Sequence, residues 1–526
     1  MYTAFLSATI FTPNIKTENQ EAILVKDSSI VAVGSNQEIE ALCPVDTEKI
    51  HLPGCFISPG FVDAHTHVWS LGYTLSMVDL RGLTSLKACQ EAIAKAAEKT
   101  EPGQWIVGRN WNQNIWKEQR EPTRHDLDEV TPDNPTVMIR ICGHANWCNT
   151  KAFELAGVTA TTPEPFGGKI EREPDTNNPA GLIREKRELV EYAIPLPDTK
   201  MRKEAFLKCQ EIFFSHGITA VHSFETLAEY KILHELEQEG KLKLRIYHTV
   251  HEDEQDDFDT WNRTHHSKSD MLWHGHIKMF ADGSLGAKSA YLHEPYEGSV
   301  NNYGISCMTP EEMVTNVERA YATGRGVIIH AIGDRALTQC LDAIEAARKK
   351  YPGSHNDRIE HLQLTRTEDL ERMKKMDIGA GIQPVAILTD WEVAEKSWGQ
   401  QRCKYAYAWK TMADIGLRFL FSSDAPIEPI NPMLAIQTAV IRRGTGCSPT
   451  TAWYPEQCID LETALKGYFE HSGWANGKPE LFGAITPGKK ADLTILGKNP
   501  FSMAQDKIGS IQIKMTVVNG KIVYKK

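Results

Sequence analysis

Short apolar runs and amphipathic stretches alternate through the middle of this chain. The runs are CFISPGFVDA, GITAVHSF, LKLRIYHTV, HIKMFA, GVIIHA, RIEHL, IGAGIQP and LRFLFSSDA, each of strand length. Between them, stretches such as PEEMVTNVERAYATG and RALTQCLDAIEAARKKY space apolar residues three and four apart, as a helix with one buried face requires. Eight strand-like runs separated by helices predict an α/β fold, a closed (β/α)8 barrel of the TIM type.

The two ends of the chain are patterned differently. AFLSATIFT and EAILVKDSSIVAVG near the start, and ADLTILG and MTVVNGKIVY near the finish, are strand-like, with Gly, Asn and Asp between them. Asn519-Gly520 stands between two such runs as a type I′ hairpin signal. Chain ends of compact proteins often lie close together, so residues 1–58 and 484–526 are expected to form one small β-sandwich domain. The barrel would then occupy 59–483. Roughly 150 residues separate the first run from the second, more than a simple crossover needs. QWIVGRNWN and TVMIRICGHANW are strand-like there, which predicts an inserted subdomain over about residues 70–210 after strand one.

Composition narrows the functional classes. No apolar run in the 526 residues approaches the roughly 20 needed to span a membrane. The start, MYTAFLSATIFTPNIKTENQ, has no basic segment followed by a small-residue cleavage site, so a cytoplasmic enzyme is expected. A net charge of −11 argues against a nucleic-acid partner. The 11 cysteines are scattered without a CxxC pair, which suggests neither a disulfide framework nor a zinc ribbon. Cys142 and Cys148 are better explained as packed thiols than as nucleophiles. A homodimer is the default expectation for oligomeric state.

The candidate chemistry lies at the ends of the runs. The first leads into His65-Thr66-His67, and residues i and i+2 of a strand face the same side. HxH alone is a weak signal. Its company changes that: the fourth run holds Lys278, the fifth brings His330, the sixth His361 and the last Asp424. Barrel enzymes place their chemistry at the C-terminal ends of strands, so residues distant in sequence would converge there. Several histidines with a carboxylate suit zinc or a similar divalent ion.

PGFVDAHTH after an N-terminal β segment, together with FGAITPGKKADLTIL near the C-terminus, resembles the amidohydrolase superfamily. HIKMFADGSLGAKSAY, VIIHAIGDRA and FSSDAPI resemble its amidohydrolase-3 or YtcJ-like branch, which includes N-substituted formamide deformylases. The similarity runs along essentially the whole chain. It implies a hydrolase acting on non-peptide carbon–nitrogen bonds, cleaving an amide-type bond of a small molecule with a metal-activated hydroxide. It also implies a binuclear centre of two divalent ions, zinc by expectation. His65, His67 and Asp424 would hold one ion and His330 and His361 the other. Lys278 would be carboxylated by CO2 so that its carbamate bridges them. Asp424 would act first as general base and then as general acid.

Nearby residues carry weaker expectations. His144 serves equally well as a catalytic residue near the substrate or as a satisfied structural group. Asp282, Gly283 and Ser284 are expected to shape the loop after Lys278, and Asp334 and Arg335 to pair at a helix start. Trp111, Trp116 and Trp147 would either line an aromatic substrate pocket or form core. Gln383 is a weaker substrate-contact candidate. The alternative activity is a metal-dependent deaminase of a heterocycle. That chemistry calls for a Glu a few residues after the strand-five histidine, whereas His330 is followed by Ala331-Ile332-Gly333-Asp334. A non-catalytic relative of the same fold would have lost ligand residues that this chain retains.

Overall fold

A computed structural model describes residues 1–526 except 14–19, 142–144, 166, 268, 445–448 and 480. Eight strands form one parallel sheet: β1 (Phe61–Thr66), β2 (Ile218–Ser223), β3 (Arg245–His251), β4 (Leu272–Phe280), β5 (Gly326–Ala331), β6 (Arg358–His361), β7 (Gly379–Ile382) and β8 (Phe419–Phe421). Neighbours in space are neighbours in sequence, the topology that repeated right-handed β–α crossovers produce. Every residue of β1, β2 and β6 is buried, as befits parallel strands covered on both faces.

The seam between β8 and β1 is held at both ends. The Thr66–Ala425 bridge joins the top, while the backbone of Gly467 and Tyr468 accepts from Phe421 and Val62 lower down. Local sequence explains the adjoining helices. Thr309 and Glu312 form a capping box for Pro310–Ala322, with proline in its first turn, and Thr226 caps Leu227–Gln238.

The first apolar run divides at Gly60. Phe56–Pro59 joins a five-stranded sheet with Thr9–Ile10, Leu493–Leu496, Ile513–Val518 and Lys521–Lys525, whereas Phe61–Thr66 enters the barrel. A Cβ at Gly60 would meet the Thr219 hydroxyl at 2.2 Å, so only glycine lets the chain pass between the two sheets. A second, four-stranded sheet contains Tyr2–Leu6, Ala22–Lys26, Ser29–Gly34 and Glu48–His51. Phe5, Ile23, Ile57, Ile495 and Val517, drawn from both sheets, share one apolar core. Asn519 and Gly520 both adopt positive φ in the final hairpin, as its turn requires.

The described residues form two compact units, Met1–Leu71 with Phe206–Lys526, and Gly72–Ala205. The second unit has its own six-stranded sheet, ordered Lys169–Arg172, Pro179–Arg184, Ala145–Cys148, Thr136–Arg140, Ile106–Trp111 and Val78–Asp79. Among the described residues, no helix is long and apolar enough to cross a membrane.

Candidate metal centre

His65 lies at the C-terminal end of β1 and His67 immediately beyond it. The Asp424 amide donates to the His65 carbonyl at 2.8 Å, and the His67 amide to the Ala425 carbonyl at 2.9 Å. This backbone stitching brings the start of the chain against the far edge of the barrel. Asp424 Oδ1 lies 3.5 Å from His65 Nε2 and 3.3 Å from His67 Nε2. The three ligand atoms are all within 4.8 Å of one another. Asp424 and His361 are non-glycine residues in the left-handed region, with φ of 52° and 76°. Such conformations cost about 1–3 kcal/mol each and concentrate at functional sites.

His330 and His361 end β5 and β6, with ring centroids 4.4 Å apart, and His361 is 5.3 Å from His65. Lys278 is buried, its Nζ 4.9 and 4.8 Å from the ring centroids of Phe224 and Phe280. All six of these side chains line one cavity of about 550 Å³.

Each of the four imidazoles has one nitrogen committed to a protein acceptor. His65 Nδ1 donates to Glu360 Oε2 at 2.8 Å, and His67 Nδ1 to the Phe224 carbonyl at 3.1 Å. His330 Nε2 donates to the Gly283 carbonyl at 3.0 Å, and His361 Nδ1 to Gln383 Oε1 at 2.8 Å. The Gln383 amide nitrogen in turn donates to Ser422 Oγ at 2.9 Å, which fixes the orientation of that amide. Every ring is thereby left with one unprotonated nitrogen in its neutral state, the form in which histidine binds a metal.

The electrostatics agree with that arrangement at three of the four rings, while at His67 burial is outweighed by Asp424 and Glu225, which raise its basicity. Burial lowers the basicity of His65, His330 and His361, and the nearby Lys278 ammonium adds to it. Burial also pulls Lys278 down to about 8, against the opposing charges of Glu360 and Asp424. For Asp424 burial pushes the other way, but His65, His67 and His361 outweigh it and hold the carboxyl well below the usual range. The donor set, imidazole nitrogens around an ionised carboxylate, fits a divalent cation of the zinc class.

The surrounding candidates sort by contact. Gln383 lines the cavity and orients His361. Asp282 accepts from the amides of Ile332, Gly333 and Tyr291, so it ties the loop after β4 to the loop after β5. Among the described residues Asp334 and Arg335 form no side-chain ion pair, but the Asp334 carboxyl is held by the Arg335 backbone at the helix start. Asp334 accepts from the His293 amide, and Arg335 lies over the Tyr291 ring. Trp111, Trp116 and Trp147 are fully buried against one another in the core of Gly72–Ala205, so the pocket-lining alternative is set aside. Cys148 is buried, and burial raises its thiol well above the usual range, so it is no nucleophile. His144 and Cys142 lie outside the described residues.

Two features escaped sequence reasoning. Glu360, one residue before His361, is fully buried between His65 and Arg358, and Arg358 also reaches His222 and the Ala64 carbonyl. Its spacing of two from Arg358 along β6 was the available signal, since such residues share a face of the strand. The carboxylates of Asp390 and Glu428 also line the cavity, from loop and helix positions that no strand periodicity marks.

Residues 48–524 match the Amidohydrolase family. The chain is 33% identical to a Bacillus subtilis (strain 168) protein named as an amidohydrolase, YtcJ, over 98% of each chain. It is 27% identical to an N-substituted formamide deformylase of Arthrobacter pascens, over 99% of this chain and 98% of that one. Among solved structures, an uncharacterized metal-dependent hydrolase from Pyrococcus furiosus superposes with a TM-score of 0.78 at 30% identity, covering 95% of this chain and all of that one. A β/α barrel with His65, His67 and Asp424 gathered at its mouth, matched in this way from end to end, makes the chain a member of the amidohydrolase family and a hydrolase of that superfamily.

Proposed function

We propose that the protein hydrolyses an amide-type C–N bond of a small molecule, releasing an acid and an amine, with two divalent ions of the zinc class. His65, His67 and Asp424 would hold one ion, His330 and His361 the other, and Lys278, as its carbamate, would lie between them. The observation that carries this is the set of four imidazoles, each with one nitrogen tied back by the protein and the other left unprotonated. The bond type is supported by the name of the Arthrobacter relative, an N-substituted formamide deformylase, and by the lack of a Glu shortly after His330. Bound there, the ions would polarise the scissile carbonyl and make water acidic enough to attack at neutral pH.

The residues' own parts follow from their settings. Asp424, ionised beside two imidazoles, takes the proton of the attacking water and returns it to the leaving nitrogen. Glu360 and Gln383 keep the unprotonated nitrogens of His65 and His361 available. Lys278, lowered to about 8 by burial, has a substantial neutral fraction near that pH, and only the neutral amine attacks CO2.

The test pairs metal analysis with a substrate panel. Protein purified without chelator should carry about two equivalents of metal, and Lys278→Ala and Lys278→Arg should lose metal and turnover together, because a guanidinium cannot be carboxylated. N-formyl and N-acetyl amines should release amine. Cytosine, adenine, guanine and pterin analogues should release no ammonia. Ammonia from a ring substrate, with silence on every amide, would establish the deaminase instead.

A further inference from the structure

The interior of a β/α barrel is ordinarily filled by branched apolar side chains. Here part of it is ionic. Arg358 and Glu360 share one face of β6, and neither side chain has any exposed surface. Nε and Nη2 of Arg358 both donate to Glu360 Oε1, at 2.9 and 2.5 Å. Nη2 also donates to the Ala64 carbonyl at 2.7 Å, and Nη1 to His222 Nδ1 at 2.7 Å. In the sheet β6 pairs with β5 and β7, so contacts to Ala64 on β1 and His222 on β2 cross the barrel. Glu360 keeps its other oxygen, Oε2, for His65 Nδ1 at 2.8 Å.

Two further observations mark this as a built arrangement. Arginine only donates, so His222 accepts through Nδ1 and carries its proton on Nε2. That nitrogen is buried with no hydrogen-bond partner among the described residues, a cost tolerated where the ring anchors the guanidinium. On β7, a Cβ at Gly381 would lie 2.2 Å from Glu360 Oε2 and 2.3 Å from Oε1, so glycine leaves the space that the carboxylate fills. Ala64 immediately precedes His65. One planar guanidinium therefore fixes both the backbone that carries His65 and the carboxylate that orients its ring, which a lysine ammonium has no fork to do. The ties of His330 and His361 run elsewhere, to the Gly283 carbonyl and Gln383.

We propose that Arg358 is a positioning residue for His65, and through it for the ion that His65, His67 and Asp424 would hold, with no such hold on the ion of His330 and His361. The proposal rests on the metal-dependent reading above for the ions themselves, and on the contacts of Arg358 for the asymmetry between them.

Cobalt(II) loaded into the full chain gives a readout that a merely structural residue would not move, because its visible absorption follows ligand geometry. Arg358→Lys keeps the charge and removes the fork. Gly381→Ala keeps every member of the chain of contacts and displaces the Glu360 carboxylate. In a chelator competition each should weaken one cobalt equivalent by about tenfold to a hundredfold, shift the visible spectrum and leave the second equivalent unchanged. Gln383→Ala, which loosens His361, should weaken the other equivalent and so labels it. Wild-type cobalt affinity and spectrum in either folded variant, even with a lowered melting temperature, overturns the proposal, as does equal weakening of both equivalents. If Arg358→Lys does not fold, Gly381→Ala decides. If the wild-type protein binds a single equivalent, the two-ion reading falls, and Arg358 is judged on that one ion by the same affinity and spectrum.

Discussion

Asp424 and Glu428 are four residues apart beyond the same barrel strand, and both line the same cavity, yet they are held in opposite states. Burial alone would raise both. Around Asp424 three imidazoles reverse that effect and keep the carboxylate ionised. Around Glu428 the neighbours are Asp390 and Asp424, and its carboxyl rises to about 8. The identity of neighbouring groups, more than depth in the protein, decides which carboxyl stays ionised and which one keeps its proton.

The contrast breaks first at Asp424. Asp424→Asn removes a ligand charge and the proton carrier while conserving shape, so kcat should fall by on the order of a hundredfold or more. Turnover at the wild-type rate would remove Asp424 from the mechanism. Glu428→Gln in the same assay should change kcat far less, because its carboxyl already holds its proton at neutral pH.

The supporting contacts should matter less. Glu360→Gln and Gln383→Ala weaken the ties on His65 and His361, and each should reduce metal affinity by about tenfold to a hundredfold in a chelator competition. Because Glu360 also neutralises the buried Arg358, its variant needs a parallel melting curve. Gln383→Ala spares that pair. Unchanged metal affinity in a folded Gln383→Ala protein would reduce the residue to packing.

A pH experiment sharpens the other side. Glu428 has a folded pKa of about 8 against 4.5 when free, so between those values the folded chain holds a proton that the unfolded chain has released. Stability from this group is therefore lost as pH rises through that window. The melting temperature of metal-stripped protein should fall from pH 5 toward 8, and Glu428→Gln should flatten the slope. An unaltered slope would show that the carboxyl is already ionised.

The smallest catalytic effect is expected in the tryptophan cluster. Trp147→Phe loses the indole hydrogen bond to the Thr123 carbonyl and some packing, worth about 1–2 kcal/mol of stability. Its kcat/KM on any substrate should stay within about twofold of wild type. A large change in KM would return these rings to the substrate.

Much of the barrel was legible because parallel strands buried on both faces must be continuously apolar and the helices between them must be amphipathic. Local composition records both demands, and all eight runs became barrel strands. The boundary expected at residues 58 and 59 fell inside the first run, but the glycine on which the chain turns from one sheet to the other, Gly60 against Thr219, is visible only in the fold. The tryptophans were ambiguous for a related reason: a large aromatic ring suits a core as well as a pocket, and its neighbours decide which.

At the site, the sequence by itself determined the kinds of groups available and the strand ends that carry them, because a period of two and the ends of apolar runs are local properties. Only the tertiary structure decided which of them meet. The stitching of His65 and His67 to Asp424 and Ala425 spans some 360 residues, and no local pattern encodes that pairing. The ring nitrogens left free depend on Glu360, the carbonyls of Phe224 and Gly283, and Gln383, three of them far along the chain from their histidines. Asp390 and Glu428 would pass for ordinary solvated acids in the sequence. Partial burial beside one cavity raises both carboxyls, and burial is a property of the folded chain alone.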